Sequence, residues 1–192
     1  TNRPDMAPPT VTLLIPPIGT SNAATNVNIV ARFNDDFYGV NSNSVAVRVA
    51  GTIAWTNGAP QAGYTGSMIR TNLGFRVTVD KTTSFANLQS VTCRATAFDL
   101  ANNARVTNWF FRTRDSAVPT AVFVSPGPSA VNVATNAVIV LQFEDATGVV
   151  SNSIRVSVAS ATAFSNGAFR AGFSGTITRT NAGNFRLSID RS

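Results

Sequence analysis

Residues 42–72 read "SNSVAVRVAGTIAWTNGAPQAGYTGSMIRTN", and residues 151–181 read "SNSIRVSVASATAFSNGAFRAGFSGTITRTN"; the two run against each other without a gap. In the first, Val45, Val47 and Val49 alternate with Ala46 and Arg48, and in the second Ile154, Val156 and Val158 keep the same rhythm. Apolar residues at a period of two describe a strand with one buried and one wet face. Asn57-Gly58 answers Asn166-Gly167, Trp55 answers Phe164 and Tyr64 answers Phe173. An Asn-Gly pair between such runs is a hairpin signal.

The match extends in both directions. "RPDMAPPTVTLLIPP" is echoed by "TRDSAVPTAVFVSP", which sets Asp5 against Asp115, Pro9 against Pro119 and Thr10 against Thr120. "ATNVNIVARFNDD" is echoed by "ATNAVIVLQFEDA", with Phe33 against Phe143 and Asp35 against Asp145. "TNLGFRVTVD" returns as "TNAGNFRLSID". The register slips by one residue between Asp36 and Gly39 and again between Gly74 and Phe75, as loops tolerate. A repeat of roughly 110 residues is therefore legible in this one sequence.

No segment carries apolar positions at helical spacing for three turns, and Pro, Gly, Asn and Thr interrupt every ten residues or so. Strands are predicted near 10–15, 27–33, 44–50, 52–56, 64–70, 74–80 and 90–97, with one more at 106–113. Short strands at that spacing predict an all-β protein of tandem immunoglobulin-like β-sandwiches. Residues 1–9 read as a linker from a preceding repeat, 10–114 as a first domain and 115–192 as a second. By analogy with residues 83–114, the second domain is expected to lack its last two strands within this sequence, as though cut from a longer array or completed by a neighbour.

The stretch "APPTVTLLIPPIGTSNAATNVNIVARFNDDFYGVNSNSVAVRVAG", together with "VTCRATAFDLANNA", resembles the tandem bacterial immunoglobulin-like repeats of surface proteins, adhesins and some phage structural proteins. Those repeats open near D-x-x-x-P, carry F-x-D-D-x-x-G-V after the second strand and close with A-x-D-x-A-G-N. Here the last motif reads "AFDLANN", with Asn102 where that family has Gly. The resemblance implies a non-enzymatic spacer or binding module on a cell surface, fibre, filament or virion, with further copies of the repeat as its partners.

Composition narrows the chemistry. Charged residues are 12% of the 192, and the formal charge is +6. The basic residues are mostly single Arg among apolar or hydroxyl neighbours, not the aromatic-interleaved basic patch that nucleic acid requires. There is no histidine, which excludes Ser-His and Cys-His nucleophiles and His-ligated metals. The lone Cys93 permits no intrachain disulfide and sits in an apolar setting, "VTCRATA", that suits a small buried hydrophobe. No apolar window approaches the ~18 residues of a membrane-spanning helix.

Two sets of side chains remain as candidates. In an immunoglobulin-like sandwich the loop after the second strand and the loop before the last strand lie at one pole. Asp5, Asp35, Asp36, Asp99 and Asn102 (or Asn103) are therefore expected to converge, either as turn-capping groups or as oxygen ligands of calcium. Asp115, Glu144 and Asp145 are the corresponding set at the second junction. Asp35 and Asp36 are not expected to make a glycosidase pair, which needs two opposed carboxyl groups across a cleft, and Ala146 replaces the second carboxylate in the other copy. Trp55, Tyr64, Phe164 and Phe173 recur in both copies, as core residues or as an aromatic face for a surface glycan or protein ligand. Trp109, Phe110 and Phe111 are consecutive, so one of them must point outward.

Overall fold

The computed structural model describes residues 4–191; residues 1–3, the start of the stretch read as a linker, and Ser192 lie outside them. The chain divides into two compact units, Thr1–Ser116 and Ala117–Ser192. In unit 1 the strands are β1 (Thr10–Ile15), β2 (Ile29–Asn34), β3 (Ala46–Val49), β4 (Thr52–Thr56), β5 (Ala59–Pro60), β6 (Tyr64–Arg70), β7 (Gly74–Lys81), β8 (Ser90–Phe98) and β9 (Ala104–Arg112). Ser44, predicted as the start of the third strand, instead closes a 3-10 turn over Ser42–Ser44, and Asn41 caps that turn by accepting from the Asn43 amide.

These strands make two antiparallel sheets. One has the order β1-β2-β7-β6 and the other β5-β4-β3-β8-β9. The alternation seen in the sequence decides what lies between them. Ala31, Phe33, Val77 and Val79 from the first sheet meet Val47, Val49, Trp55, Cys93, Ala95 and Phe111 from the second in one buried core. The unit is an immunoglobulin-like β-sandwich held by packing alone, since Cys93 is a free thiol and the strand-two position expected opposite it holds Ala31. After β1 the chain crosses to the second sheet, where Ala23 bridges Thr113 in parallel and the Gly19 amide donates to Phe110 O at 3.1 Å. That crossing covers the outer edge of β9, which would otherwise present unpaired backbone groups.

Unit 2 repeats the plan with β10 (Thr120–Ser125), β11 (Ile139–Glu144), β12 (Arg155–Val158), β13 (Ala161–Ser165), β14 (Ala168–Phe169), β15 (Phe173–Arg179) and β16 (Phe185–Arg191). Its sheets run β10-β11-β16-β15 and β12-β13-β14. Even the irregularities recur: the register shifts between Leu13 and Ile15 and between Phe123 and Ser125, and again between Val47 and Arg48 and between Val156 and Ser157. Asn57-Gly58 and Asn166-Gly167 form the two-residue turns of the β4–β5 and β13–β14 hairpins. The described residues of unit 2 contain no counterpart of β8 and β9, so the three-stranded sheet ends at β12 where unit 1 continues from β3 to β8. A core of Leu141, Ile154, Ala163, Phe164, Leu187 and Ile189 nevertheless joins the two sheets.

Candidate functional site

The segment after β2 and the segment joining β8 to β9 are zipped together at one pole of unit 1. Val40 bridges Asp99, the Leu100 amide donates to Gly39 O at 2.9 Å and the Asn41 amide to Phe98 O at 2.9 Å. Asp99 is completely buried, and its two carboxylate oxygens accept from the backbone amide and the Nδ2 of Asn103 at 2.8 and 2.7 Å. The same Nδ2 donates to Asp5 O at 3.2 Å and faces Ala7 O at 3.5 Å. Asn103 thus fastens the chain ahead of β1 to the Asp99 loop. Asn102, expected in the ligand set, instead occupies the left-handed region at φ 66° and gives its amide to Asp99 O. Asn, like Gly, visits that region readily, which explains how it stands at a Gly position of the motif.

This fastening brings Asp5, Asp35 and Asp36 together, with one carboxylate oxygen of each within 4.8 Å of the others. Asp35 is 3% exposed. Its Oδ2 accepts from the Phe37 and Gly39 amides at 3.1 and 2.8 Å, the turn chemistry expected of an Asp here. Its Oδ1 is buried and has no hydrogen-bond partner. Asp5 repeats the arrangement: Oδ1 accepts from the Ala7 amide at 3.0 Å, while Oδ2 is buried without a partner. A buried carboxylate oxygen with nothing to bond costs free energy that turn capping does not recover. Oxygens around one calcium ion, each about 2.3–2.6 Å from it, are spread over no more than about 5 Å. The spacing and the two orphaned oxygens therefore fit a hard divalent cation. Beside them Pro4, Met6, Ala7 and Phe37 line an open crevice of about 640 Å³.

The second set is divided between the two units. Asp115 belongs to unit 1, whereas Glu144 and Asp145 belong to unit 2. Glu144 accepts from Gln142 Nε2 on the same strand. Asp145 Oδ1 accepts from Thr147 Oγ1 at 2.7 Å and from its amide at 2.8 Å. Those bonds, the hydroxyl first, hold the Asp145 carboxyl below its ordinary range.

The recurring aromatics pack in or against the two cores, the first of the two alternatives that their recurrence left open. Trp55 and Phe164 are 2% and 0% exposed, and Tyr64 and Phe173 are half-buried against the two cores. Their strand positions face inward, where a large ring contributes most to burial. Phe110 is the outward member of its trio, 55% exposed between Trp109 and Phe111 at 4% and 0%. Cys93 is 4% exposed, and burial pushes its thiol up to about 12, so it is a packing residue and not a nucleophile.

One surface escaped the sequence reading. Arg48 on β3 stands directly opposite Arg94 on β8, and Arg94 stands opposite Asn108 on β9. The signal was present as single Arg residues at outward strand positions, but their adjacency depends on strand order.

No helix among the described residues is long and apolar enough to cross a membrane. No protein-family model matches the chain, and no curated protein matches it. Among solved structures, the crystal structure of Dpr2 Ig1-Ig2 in complex with DIP-Theta Ig1-Ig3 is similar over 96% of this chain and 88% of that one, at 13% identity and a TM-score of 0.38.

Proposed function

We propose that this chain is a non-enzymatic structural or adhesive repeat module of an extracellular surface fibre, filament or virion appendage. The observation that carries the reading is the duplication itself: the order of the four-stranded sheet, the hairpin turns and the register shifts of unit 1 all recur in unit 2, from a repeat of roughly 110 residues. Stacked copies of one unit set a length and present loops at intervals, and they need no reaction. The likeness of "RFNDDFYGV" and "AFDLANN" to bacterial surface and phage repeats supports the setting.

Partners in this reading are further copies of the repeat, in the same chain or in neighbouring subunits. Among the described residues nothing pairs with β12 on the side where β3 pairs with β8. Such an edge accepts an antiparallel strand, and unit 1 supplies the template: a β8-like strand with small apolar residues at alternate positions. Antibodies to unit 1 applied to intact source cells or particles are expected to label them without permeabilisation, and electron microscopy to show rods. Label that appears only after lysis, on single globular particles, would overturn the reading.

Calcium belongs to the same proposal as a stiffener of the pole. Asp5, Asp35 and Asp36 would hold the ion, with the buried oxygens Asp35 Oδ1 and Asp5 Oδ2 as its inner ligands. Melting followed in calcium and in EGTA tests this. The transition of unit 1 should rise with calcium in the native chain and stop responding in Asp35→Asn, while an unchanged native melt removes the ion from the proposal.

A further inference from the structure

The outer face of the five-stranded sheet in unit 1 is electrostatically one-sided. Strands β3, β4, β5, β8 and β9 contain four arginines, Arg48, Arg94, Arg105 and Arg112, and no carboxylate. Unit 1's acidic residues are elsewhere: Asp5, Asp35, Asp36 and Asp99 at the pole, Asp80 on β7 and Asp115 beyond β9. Arg48 and Arg94 form a direct cross-strand pair, both exposed. Like charges directly opposite each other oppose folding. Arg48 spends one weak bond on Gly51 O at 3.4 Å, and the Arg94 guanidinium makes no hydrogen bond to the described residues. Ten donors on two planar forks are thus presented side by side with nearly nothing to bind.

These two arginines line an open groove of about 490 Å³ together with Thr92, Asn108 and the exposed ring of Phe110. Thr92 is paired with Phe110 and Arg94 with Asn108, so the hydroxyl, the amide and the ring flank the arginines on the same face. Guanidinium forks match carboxylate and sulfate oxygens bidentately. Hydroxyl and amide groups suit a ligand with many neutral hydroxyls, and an exposed ring gives its apolar face a platform. The partner does not enter as an added strand, because the edge of β9 is already taken by residues 19–23. It lies across the sheet face. Three outward arginines and one exposed ring fall short of the long interleaved basic surface that nucleic acid uses.

We propose that the Arg48–Arg94 groove of unit 1 binds an anionic polysaccharide through its carboxylate or sulfate groups, with a sugar ring against Phe110. This names a ligand class for the adhesive side of the function above and rests on that reading. Unit 2 has Ser157 at the position of Arg48 and does not share the site.

Affinity electrophoresis of the full chain through polygalacturonate, dextran sulfate and neutral dextran tests it. Binding to at least one of the two polyanions and not to dextran is expected, and which polymer binds distinguishes carboxylate from sulfate. The double variant Arg48→Gln with Arg94→Gln should weaken binding by about tenfold or more, because two charge-assisted forks are lost. Removing the same charge from the opposite sheet, with Arg32→Gln and Arg76→Gln, should weaken it by less than about threefold, as expected of screened distant charge. Phe110→Ala should weaken it with no change of charge. Equal losses in the two double variants, binding to neither polyanion, or equal binding to dextran would overturn the proposal. All these side chains are exposed, and tryptophan fluorescence confirms that each variant is folded. Surface labelling and rod formation do not depend on the groove, so their failure and the failure of this binding are distinguishable.

Discussion

Val47 and Val49 of β3 are 1% and 0% exposed, whereas Val156 and Val158, at the same places in β12, are only half-buried. Phe33 of β2 is 0% exposed, and its counterpart Phe143 of β11 is also half-buried. The local sequence hardly differs. What differs is the cover: β8 and β9 contribute Val91, Cys93, Ala95, Ala97, Trp109 and Phe111 to the core of unit 1, and the described residues of unit 2 have no equivalent. Alternation therefore fixes which side of a strand faces inward, but strands far along the chain fix how dry that side becomes. The hydrophobic contribution of each inward residue scales with the area removed from water, so the same valine contributes less in unit 2.

Truncating the central phenylalanine is the strongest way to test this contrast. Phe33→Ala should destabilise unit 1 by about 3–5 kcal/mol, and Phe143→Ala should cost unit 2 clearly less. Both tryptophans, Trp55 and Trp109, lie in unit 1, so fluorescence in a urea titration reads that unit while circular dichroism reads both. Equal losses would break the comparison, since they would mean that the two cores are equally covered.

Next in size is an alkaline effect confined to unit 1. The Cys93 thiol is raised by burial from an ordinary 9.0 to about 12. A group raised in the folded state contributes stability that is complete below its unfolded pKa and is lost as pH rises towards the folded one. Unit 1 should therefore weaken between pH 9 and 12. The slope approaches about 1.4 kcal/mol per pH unit. Cys93→Ala should flatten this part of the profile, and a slope that survives the substitution would assign it to another group.

The β3–β4 and β12–β13 turns offer a smaller contrast in the opposite sense. Gly51 and Ser160 occupy matching positions with φ of 82° and 68°. The left-handed region costs an ordinary L-residue about 1–2 kcal/mol, and glycine avoids most of that. Ser160→Gly should stabilise unit 2 by about 1 kcal/mol, and Gly51→Ser should destabilise unit 1 by a similar amount, both read by thermal melting. No shift in either would show that the turn strain is absorbed by the solvent-facing loop.

The smallest expected effect concerns Asp145. Its carboxyl is held low chiefly by the Thr147 hydroxyl, so its contribution is present above its ordinary pKa of 3.8 and is lost as pH falls through the lower folded value. Thr147→Ala should move the carboxyl resonance midpoint back up in an NMR titration. An unmoved midpoint would transfer the cause to the backbone amides.

Much of unit 1 was legible in advance, because strand length, Asn-Gly turns and inward positions are local properties. The predicted strands 10–15, 52–56 and 64–70 coincide with β1, β4 and β6, and the repeat foretold the strands of unit 2. The two-residue β5 went unseen, since Ala59-Pro60 carries no alternation to read. At the pole, the convergence of Asp5, Asp35 and Asp36 was anticipated from fold analogy, but the choice of Asn103 over Asn102 turned on a backbone in the left-handed region.

The sequence alone determined the duplication, the strand rhythm and the absence of histidine chemistry, because each is a matter of residue identity or short-range spacing. Only the tertiary structure decided that Arg48 faces Arg94 across 46 positions of chain, and that Asp35 keeps one buried oxygen without a partner. Both depend on sheet order and on loops folded against each other. Those contacts form between segments far apart in sequence, where a period of two carries no record of the neighbour across the ladder.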